Sequence, residues 1–430
     1  MKLSIRLLIV AAVIVYSYFP QTAHAQGVML RSIGAVNASV GGTATAMPLD
    51  AIGALQWNPA SISALPQNEM SFGLELVMAN TRVKSSVPNP YVTGETISGS
   101  TKGEAGVIPV PSMGFVWSKS RRSPYTFGLG MGAAGGAASL YPHTPLMTSS
   151  GLNPNVNPVL MDHGRSATVI VLQVTPTASV QLTKRLSVGV APIIDLASLN
   201  VNPMSLGRPI DKSLMTYGTR YVWGGGFQVG TLYDFQNNFK AGFMFKSPIW
   251  AEKLYFTGTY YDAQHNPIAG SSTFQLNLPM TLSAGISYDG FRNTVIGMDV
   301  RYLDYDNTAG LNKGMVNGVV EGLDWDSVFA ISIGAERKIN NRIKARVGYA
   351  WNENPIPGRS AALCISAPMI TQHVFSCGLS YAIAKDMELA AAYTHAFEAE
   401  HTGTILGQPG TSISNILSAN TLYANIVKKW

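Results

Sequence analysis

The chain has 430 residues, 46% of them apolar and only 13% charged, where ordinary soluble domains carry about 25% charged residues. It has a net charge of +6, an isoelectric point of about 9.1 and a mean hydropathy of +0.14. No run of Lys and Arg exceeds two residues, so the basic balance forms no stripe of the kind that nucleic acid binding requires, and nucleic acid is excluded as a partner.

The first element, residues 1–25, reads as a secretory signal. Lys2 and Arg6 form its charged end, residues 7–15 its apolar core, and Ala23-His24-Ala25 its small-x-small cleavage site. The expected mature chain starts at Gln26. No cysteine lies at that site, so a lipid anchor is not expected. Beyond it no apolar run reaches the about 20 residues that a spanning helix needs. An exported, hydrophobic chain of this kind either crosses a membrane as a closed β-barrel or is a water-soluble secreted fold.

Residues 26–67 are rich in small residues and do not alternate. A segment this short cannot build its own core and must bury itself elsewhere. The expectation is a small N-terminal hatch plugging the lumen of a barrel formed by residues 68–430. Near its end stands Trp57-Asn58-Pro59-Ala60-Ser61. Pro59 fixes its own φ and biases Asn58 toward extended geometry, and the Asn58 side chain can cap a turn. A plain helix-to-strand connection is the alternative.

From residue 68 onward apolar and polar residues alternate. In the segment 71–78, Phe72, Leu74, Leu76 and Met78 face one way and Ser71, Gly73, Glu75 and Val77 the other. The same holds for Met280, Leu282, Ala284, Ile286 and Tyr288 against Thr281, Ser283, Gly285, Ser287 and Asp289. Apolar stripes that end in Trp117, Tyr288, Tyr302 or Trp351 suit an interfacial girdle. The opposite faces are rich in Gly, Ser and Ala, as a wall meeting a plug would be. A soluble sandwich would instead turn its polar face outward. Short connections near 119–123, 183–186, 235–238, 289–293, 338–341 and 384–387 alternate with long ones. The fold class expected is therefore all-β, an antiparallel transmembrane barrel of about fourteen strands.

The third strand, within 125–142, carries inward Gly128, Gly130 and Gly132, and then Gly135-Gly136 breaks the alternation. Glycine in a strand marks a bulge or a close backbone approach. This one reads either as a kink that opens the barrel wall or as close packing against the hatch. The long connections supply Met204, Leu206, Ile210, Leu214 and Met215, and then Trp250, Leu254 and Phe256. Apolar loop residues either bind a ligand or pack on one another, and methionine suits adaptable surfaces.

Inward Lys246 and Arg301 are candidates for holding a carboxylate head group. The competing reading makes them, with Lys240, Asp299, Glu336, Lys344, Arg346 and Glu388, wall ion pairs that hold the hatch. The histidines are scattered, no nucleophile-base arrangement is present, and no cofactor, metal or enzyme activity is implied. Cys364 falls in a loop and alternation puts Cys377 on the lipid face, so whether they pair stays open. The chain ends on Trp430, with Ile426, Ala424 and Leu422 on one face. This resembles the C-terminal signal read by the barrel assembly machinery of bacterial outer membranes, although Lys428 departs from the usual apolar residue.

The stretch Asp50-Ala51 … Asn58-Pro59-Ala60 resembles the hatch motif of the FadL/TodX family of outer-membrane transporters. Segments 224–235, 239–249, 276–288, 295–306 and 343–358 are similar to later family strands in order, the last with an Arg-x-Gly-Tyr strand and a Pro-x-Pro loop. The resemblance implies a monomeric, fourteen-stranded barrel in the bacterial outer membrane, in contact with its lipid. It implies uptake of hydrophobic molecules such as long-chain fatty acids or aromatic hydrocarbons. Ligand would be caught by external loops, pass a hatch that moves, and leave sideways at a third-strand kink marked by Gly132, Gly135 and Gly136. Asp50, Asn58, Pro59 and Ala60 fill the hatch motif, and Pro59 is expected to hold the hatch near those glycines. The family's early Gly-Arg is absent here. A barrel of this fold that serves protein secretion or surface shuttling is the alternative.

Overall fold

A computed structural model describes residues 26–89, 92–120, 123–149, 151–153, 155–209, 212–216, 220–262, 264–405 and 408–430. The expected signal, residues 1–25, and loop residue Ile210 lie outside them. The sheet closes on itself as fourteen antiparallel strands. They are β1 (Glu69–Pro88), β2 (Val107–Trp117), β3 (Tyr125–Tyr141), β4 (Arg165–Gln181), β5 (Leu186–Asn202), β6 (Val222–Asp234) and β7 (Phe239–Lys246). The other half is β8 (Met280–Phe291), β9 (Thr294–Asp304), β10 (Val328–Lys338), β11 (Ile343–Asn352), β12 (His373–Ala382), β13 (Met387–Gly403) and β14 (Ser412–Lys429). Each strand pairs with its sequence neighbours, and β14 closes on β1 from Glu69↔Lys429 to Ser86↔Ser412. No described helix is long and apolar enough to cross a membrane, so the crossing elements are strands.

The alternation read from the sequence is the alternation of the wall. Phe72, Leu74, Phe243, Ile286, Met298 and Val347 are exposed on the outer surface, whereas Ser71, Glu75, Thr281, Ser283, Asp299 and Arg346 are buried inside. An apolar outer belt is stable only against lipid, because in water it would be a patch far larger than monomeric proteins expose. Aromatic pairs edge the belt: Trp117 stacks on Phe127 and Phe239 packs against Tyr288. Trp430 packs on Phe115 and ties back to the carbonyl of Asn68. Lys428, out of pattern in sequence, ion-pairs with Asp386 in the neighbouring β12–β13 turn.

The long connections fold over one end of the barrel. Leu254–Tyr261 and Pro267–Phe274 form a hairpin joined by Met215–Thr216. Cys364 sits in that roof fully buried, with the indole Nε1 of Trp325 donating to its sulfur at 3.2 Å. Burial pushes its thiol up to about 12. Cys377 lies apart on the outer face, and both cysteines are free. The thiolate is the reactive form, so raising the pKa from 9.0 to about 12 removes nearly all thiolate at pH 8. A water-soluble disulfide reagent at pH 8 should leave Cys364 unmodified in the folded protein and label it only after denaturation. Peptide mass mapping before and after unfolding checks this, and rapid labelling of the native state would contradict the packed roof.

Candidate functional site

Residues 26–62 run inside the barrel, none of them exposed. Ile33 and Asp50 precede two short helices, α1 (Gly34–Ser39) and α2 (Ala51–Trp57), and the Asp50 carboxylate caps α2 by accepting from the Gly53 amide at 3.2 Å. Every residue of both helices is buried. The wall makes room with glycine. A Cβ on Gly189 would come within 2.3 Å of the Pro59 backbone, one on Gly242 within 2.2 Å of the Thr45 carbonyl, and one on Gly348 within 2.2 Å of the backbone at residues 40 and 41. Gly334, Gly114 and Gly285 also approach the segment, at 2.4, 2.8 and 2.9 Å. Such approaches are open only to residues without a side chain.

Wall side chains then bond the backbone of the segment. Asp299 Oδ2 accepts from the amides of Ala44 and Thr45 at 2.8 and 3.0 Å. Glu75 accepts from the Gly34 amide at 2.7 Å, Asn425 from Ala35 at 2.9 Å, and Glu69 from Ala51 at 2.8 Å. Gln228 donates to the Leu55 carbonyl at 2.9 Å and Ser287 to that of Ala46 at 2.7 Å. A short helical segment cannot satisfy its own terminal amides and carbonyls. The polar inner wall does it instead.

Asn58 is fully buried at the centre of this arrangement. Its amide donates to the carbonyls of Thr45 at 2.7 Å and Thr231 on β6 at 2.9 Å, while its oxygen accepts from the Ala60 amide at 3.0 Å. Pro59 abuts Gly189 of β5, and Asn58 abuts Gly230 of β6. The motif therefore faces β5–β7. Pro59 itself thus stands away from the third-strand glycines, and the residues of its segment that meet them are Leu55 against Gly128 and Gly130, and Ile33 against Gly132.

Arg301 belongs to the same clamp. Its guanidinium lies 3.5 Å from the ring centroid of Trp57, donates to the carbonyls of Arg31 and Gly42, and pairs with Asp299 at 3.1 Å. Arg31 in turn donates to Asn352 at 2.9 Å and to Thr371. At the other end of the wall Arg346, Glu336, Glu388, Lys344 and Lys429 form a connected ionic network, which reaches Glu69 at 3.7 Å. Lys240 pairs with Asp289 at 2.7 Å, nearer solvent.

Among the described residues the shortest strand pairing of the wall lies between β2 and β3. β2 pairs with β1 from Glu69↔Val116 to Met78↔Val107, but with β3 only from Met113↔Met131 to Trp117↔Phe127. Above that point β3 pairs with β4 alone, and its register shifts between Ala133 and Gly135. The split ends at the top where the Glu104 amide donates to Leu140 at 2.8 Å. Two features keep it unsealed. The bulge turns β3 out of register. Pro109 and Pro111, two residues apart, remove two N–H donors from the same edge of β2. Since β2 keeps its partner β1 across both prolines, the edge that lacks a partner is the one facing β3.

The N-terminal segment covers this split from within. Met29 bridges Gly135, the Leu30 amide donates to Ala134 at 3.1 Å, and the Gly136 amide donates to Val28 at 3.3 Å. Ile33 reaches Gly132, and a Cβ there would also lie 3.4 Å from that of Ser112 on β2. Gly132, Gly135 and Gly136 thus lie on the split, and the N-terminal segment packs against them.

Val28 and Met29 continue into a buried apolar cluster with Ala134, Val169, Val171, Ile193, Leu199, Ile249, Leu254 and Leu278. Part of it lines a cavity of about 390 Å³, open mouth included, between β4, β5, β6 and the roof. Met204, Leu206 and Leu214 are buried in the same cluster, and Phe256 with them. They are the packed roof of the cavity and not an exposed capture surface. Met215 is half-buried and hydrogen-bonded into the roof sheet opposite Thr259. Trp250 points outward, 55% exposed, on a strand paired to Gly225. Lys246 is 2% exposed and donates to Gln173 Oε1 at 3.4 Å, and Gln173 donates to Asp195 at 2.9 Å. Asp195 lines the cavity and Lys246 does not. The sequence reading singled out neither the proline pair nor Asp195. Prolines two apart in an alternating strand were the available signal for the first. Asp195 carried no signal that sets it apart from other inward polar residues.

The family model described as outer membrane protein transport protein (OMPP1/FadL/TodX) matches residues 16–408. The toluene transporter TodX of Pseudomonas putida has the same fold, with 16% identity, a TM-score of 0.68, and 94% of this chain and 100% of that one covered. The Ralstonia pickettii toluene transporter TbuX matches at 18% identity and TM-score 0.63, covering 93% and 99%. A FadL homologue of Pseudomonas aeruginosa matches at 13% identity and TM-score 0.68, covering 94% and 99%. No curated protein sequence matches the chain.

Proposed function

The chain belongs to the OMPP1/FadL/TodX family of outer membrane transport proteins, and from that premise we propose that it takes up small hydrophobic molecules passively and releases them sideways through the split between β2 and β3. It is a bacterial outer-membrane barrel. The observation that carries the reading is the single apolar cluster running from the cavity, through Val28 and Met29, to Ala134 at the split. A hydrophobic molecule follows apolar surface because each step into water costs about 25 cal/mol per Å² of its own area. The roof admits it to the cavity. Displacement of residues 28–30 from the β3 edge then opens the way into the bilayer.

Only two backbone hydrogen bonds flank the Met29–Gly135 bridge, each worth about 1 kcal/mol net. This small region is the hatch's gate, and the glycine-seated remainder of residues 34–61 is its fixed frame. Trp430 serves the assembly machinery as the C-terminal signal, and one closed barrel is the working unit. Toluene is the natural first probe, because two structural relatives are toluene transporters.

The proline pair provides the test. Pro109→Val with Pro111→Val restores two donors on the open edge and allows β2 to zip onto β3. Uptake of labelled toluene by expressing cells should fall at least fivefold, with equal amounts of folded barrel in the outer membrane. Uptake that stays at the wild-type level would remove the lateral exit.

A further inference from the structure

The cavity between β4, β5, β6 and the roof has one ionisable group in its lining. Val169, Val171, Leu199, Val222, Ile249 and Leu278 are among its apolar lining, and Asp195 supplies the carboxylate. Asp195 is 2% exposed. One of its oxygens accepts from Gln173, and the other, Oδ2, has no hydrogen-bond partner. A buried acceptor left without a donor is costly, and buried polar groups are normally paired. Neither cation of the neighbourhood bonds that oxygen. Lys246 attracts Asp195 electrostatically but is directed at Gln173, and Arg301 is held by Asp299 and the carbonyls of residues 31 and 42.

We propose that Asp195 sets the specificity of this cavity: it selects compact neutral molecules that carry a hydroxyl or similar donor on an apolar body, and rejects carboxylates. This rests on the uptake reading above and names its substrate class. The donor of the ligand completes Asp195 Oδ2 while its body fills the apolar lining. An ionised carboxylate would place two like charges together in a poorly screened site. It would also bring no donor. The enclosed space in this packed state is on the order of one water molecule, so the roof must part to admit even a single substituted ring, and a long acyl chain is disfavoured.

Three molecules of one shape separate these terms: p-cresol with a hydroxyl, toluene with neither donor nor charge, and p-toluate with a carboxylate. The protein in lipid nanodiscs is dialysed to equilibrium against empty nanodiscs at pH 7 with each in turn. Wild type should bind p-cresol about tenfold more tightly than toluene, and p-toluate no better than empty discs do. In Asp195→Leu the cresol-to-toluene ratio should fall to about one. Asp195→Asn, which keeps the shape and the acceptor, covers the case in which the leucine variant does not assemble. It should keep part of the cresol preference and gain measurable p-toluate binding. Wild type that binds p-toluate as well as p-cresol, or an unchanged ratio in both variants, overturns the role of Asp195 and leaves the uptake reading standing. If wild type binds none of the three above empty discs, the uptake reading itself falls, and the Asp195 assignment with it.

Discussion

Replacing Asn58 with alanine should loosen the N-terminal frame while leaving the barrel assembled. The side chain makes three hydrogen bonds, to Thr45, Thr231 and Ala60, with no exposure to solvent. Each is worth about 1 kcal/mol net, and each buried partner left unsatisfied adds to the loss. A total of about 3 kcal/mol is expected, which multiplies the population of the opened frame by on the order of a hundredfold. Amide hydrogen exchange across residues 44–60 should accelerate by that order, and ion leakage through the lumen should rise. The strands themselves lose only the contact at Thr231, so heat-modifiable gel mobility should remain that of a folded barrel. Pro59→Ala should do less. It relaxes a fixed φ, worth about 0.4–1 kcal/mol, and keeps the carbonyl that Gly189 accommodates. Equal effects of the two substitutions, or unchanged exchange in Asn58→Ala, would return this turn to a plain connection between helix and strand.

The wall was legible in the sequence because its signal is periodic. Met298 and Val300 outside, with Asp299 and Arg301 inside, follow from the two-residue period of a strand whatever the partners are. The short connections were legible for a related reason: the lipid belt fixes strand length, so turns recur at regular spacing. What alternation cannot tell is which inward groups meet. Arg301 and Lys246 look equivalent as inward cations. The fold puts one against Trp57 and the carbonyls of residues 31 and 42 and the other behind Gln173 and Asp195. The wall position that Pro59 meets was not legible for the same reason. A glycine in a strand announces that something approaches closely, but not what does, and glycines stand along most of this wall. The loop residues Met204, Leu206 and Leu214 were open to two readings in sequence, since loop hydrophobicity is the same whether it faces a ligand or another loop. Their burial places them in the roof core.

The split between β2 and β3 had a legible half and a hidden half. Gly135-Gly136 suggested a kink, and the register shift lies beside it. The contribution of β2 depends on which edge its proline nitrogens face, and that requires knowing that β1 occupies the other edge. An unpaired strand edge is normally sealed or covered. Here the chain covers it with its own N-terminal segment, and the proposed exit requires that cover to move.

The most direct test of the lateral exit staples that edge. The Cβ of Ser112 lies 3.4 Å from the Cβ position of Gly132, one residue beyond the last β2–β3 pair, Met113↔Met131. That separation is close to the roughly 3.5–4.5 Å of a disulfide, and the atom to be displaced is the flexible end of Ile33. In a background with Cys364 and Cys377 replaced by serine, Ser112→Cys with Gly132→Cys should form the bridge on oxidation and pin the two strands together. Uptake of labelled toluene by cells carrying the oxidised protein should fall to that of cells without it, and a reducing agent should restore it. Uptake that is equal in the oxidised and reduced states, with the bridge verified by mass, would contradict release between β2 and β3.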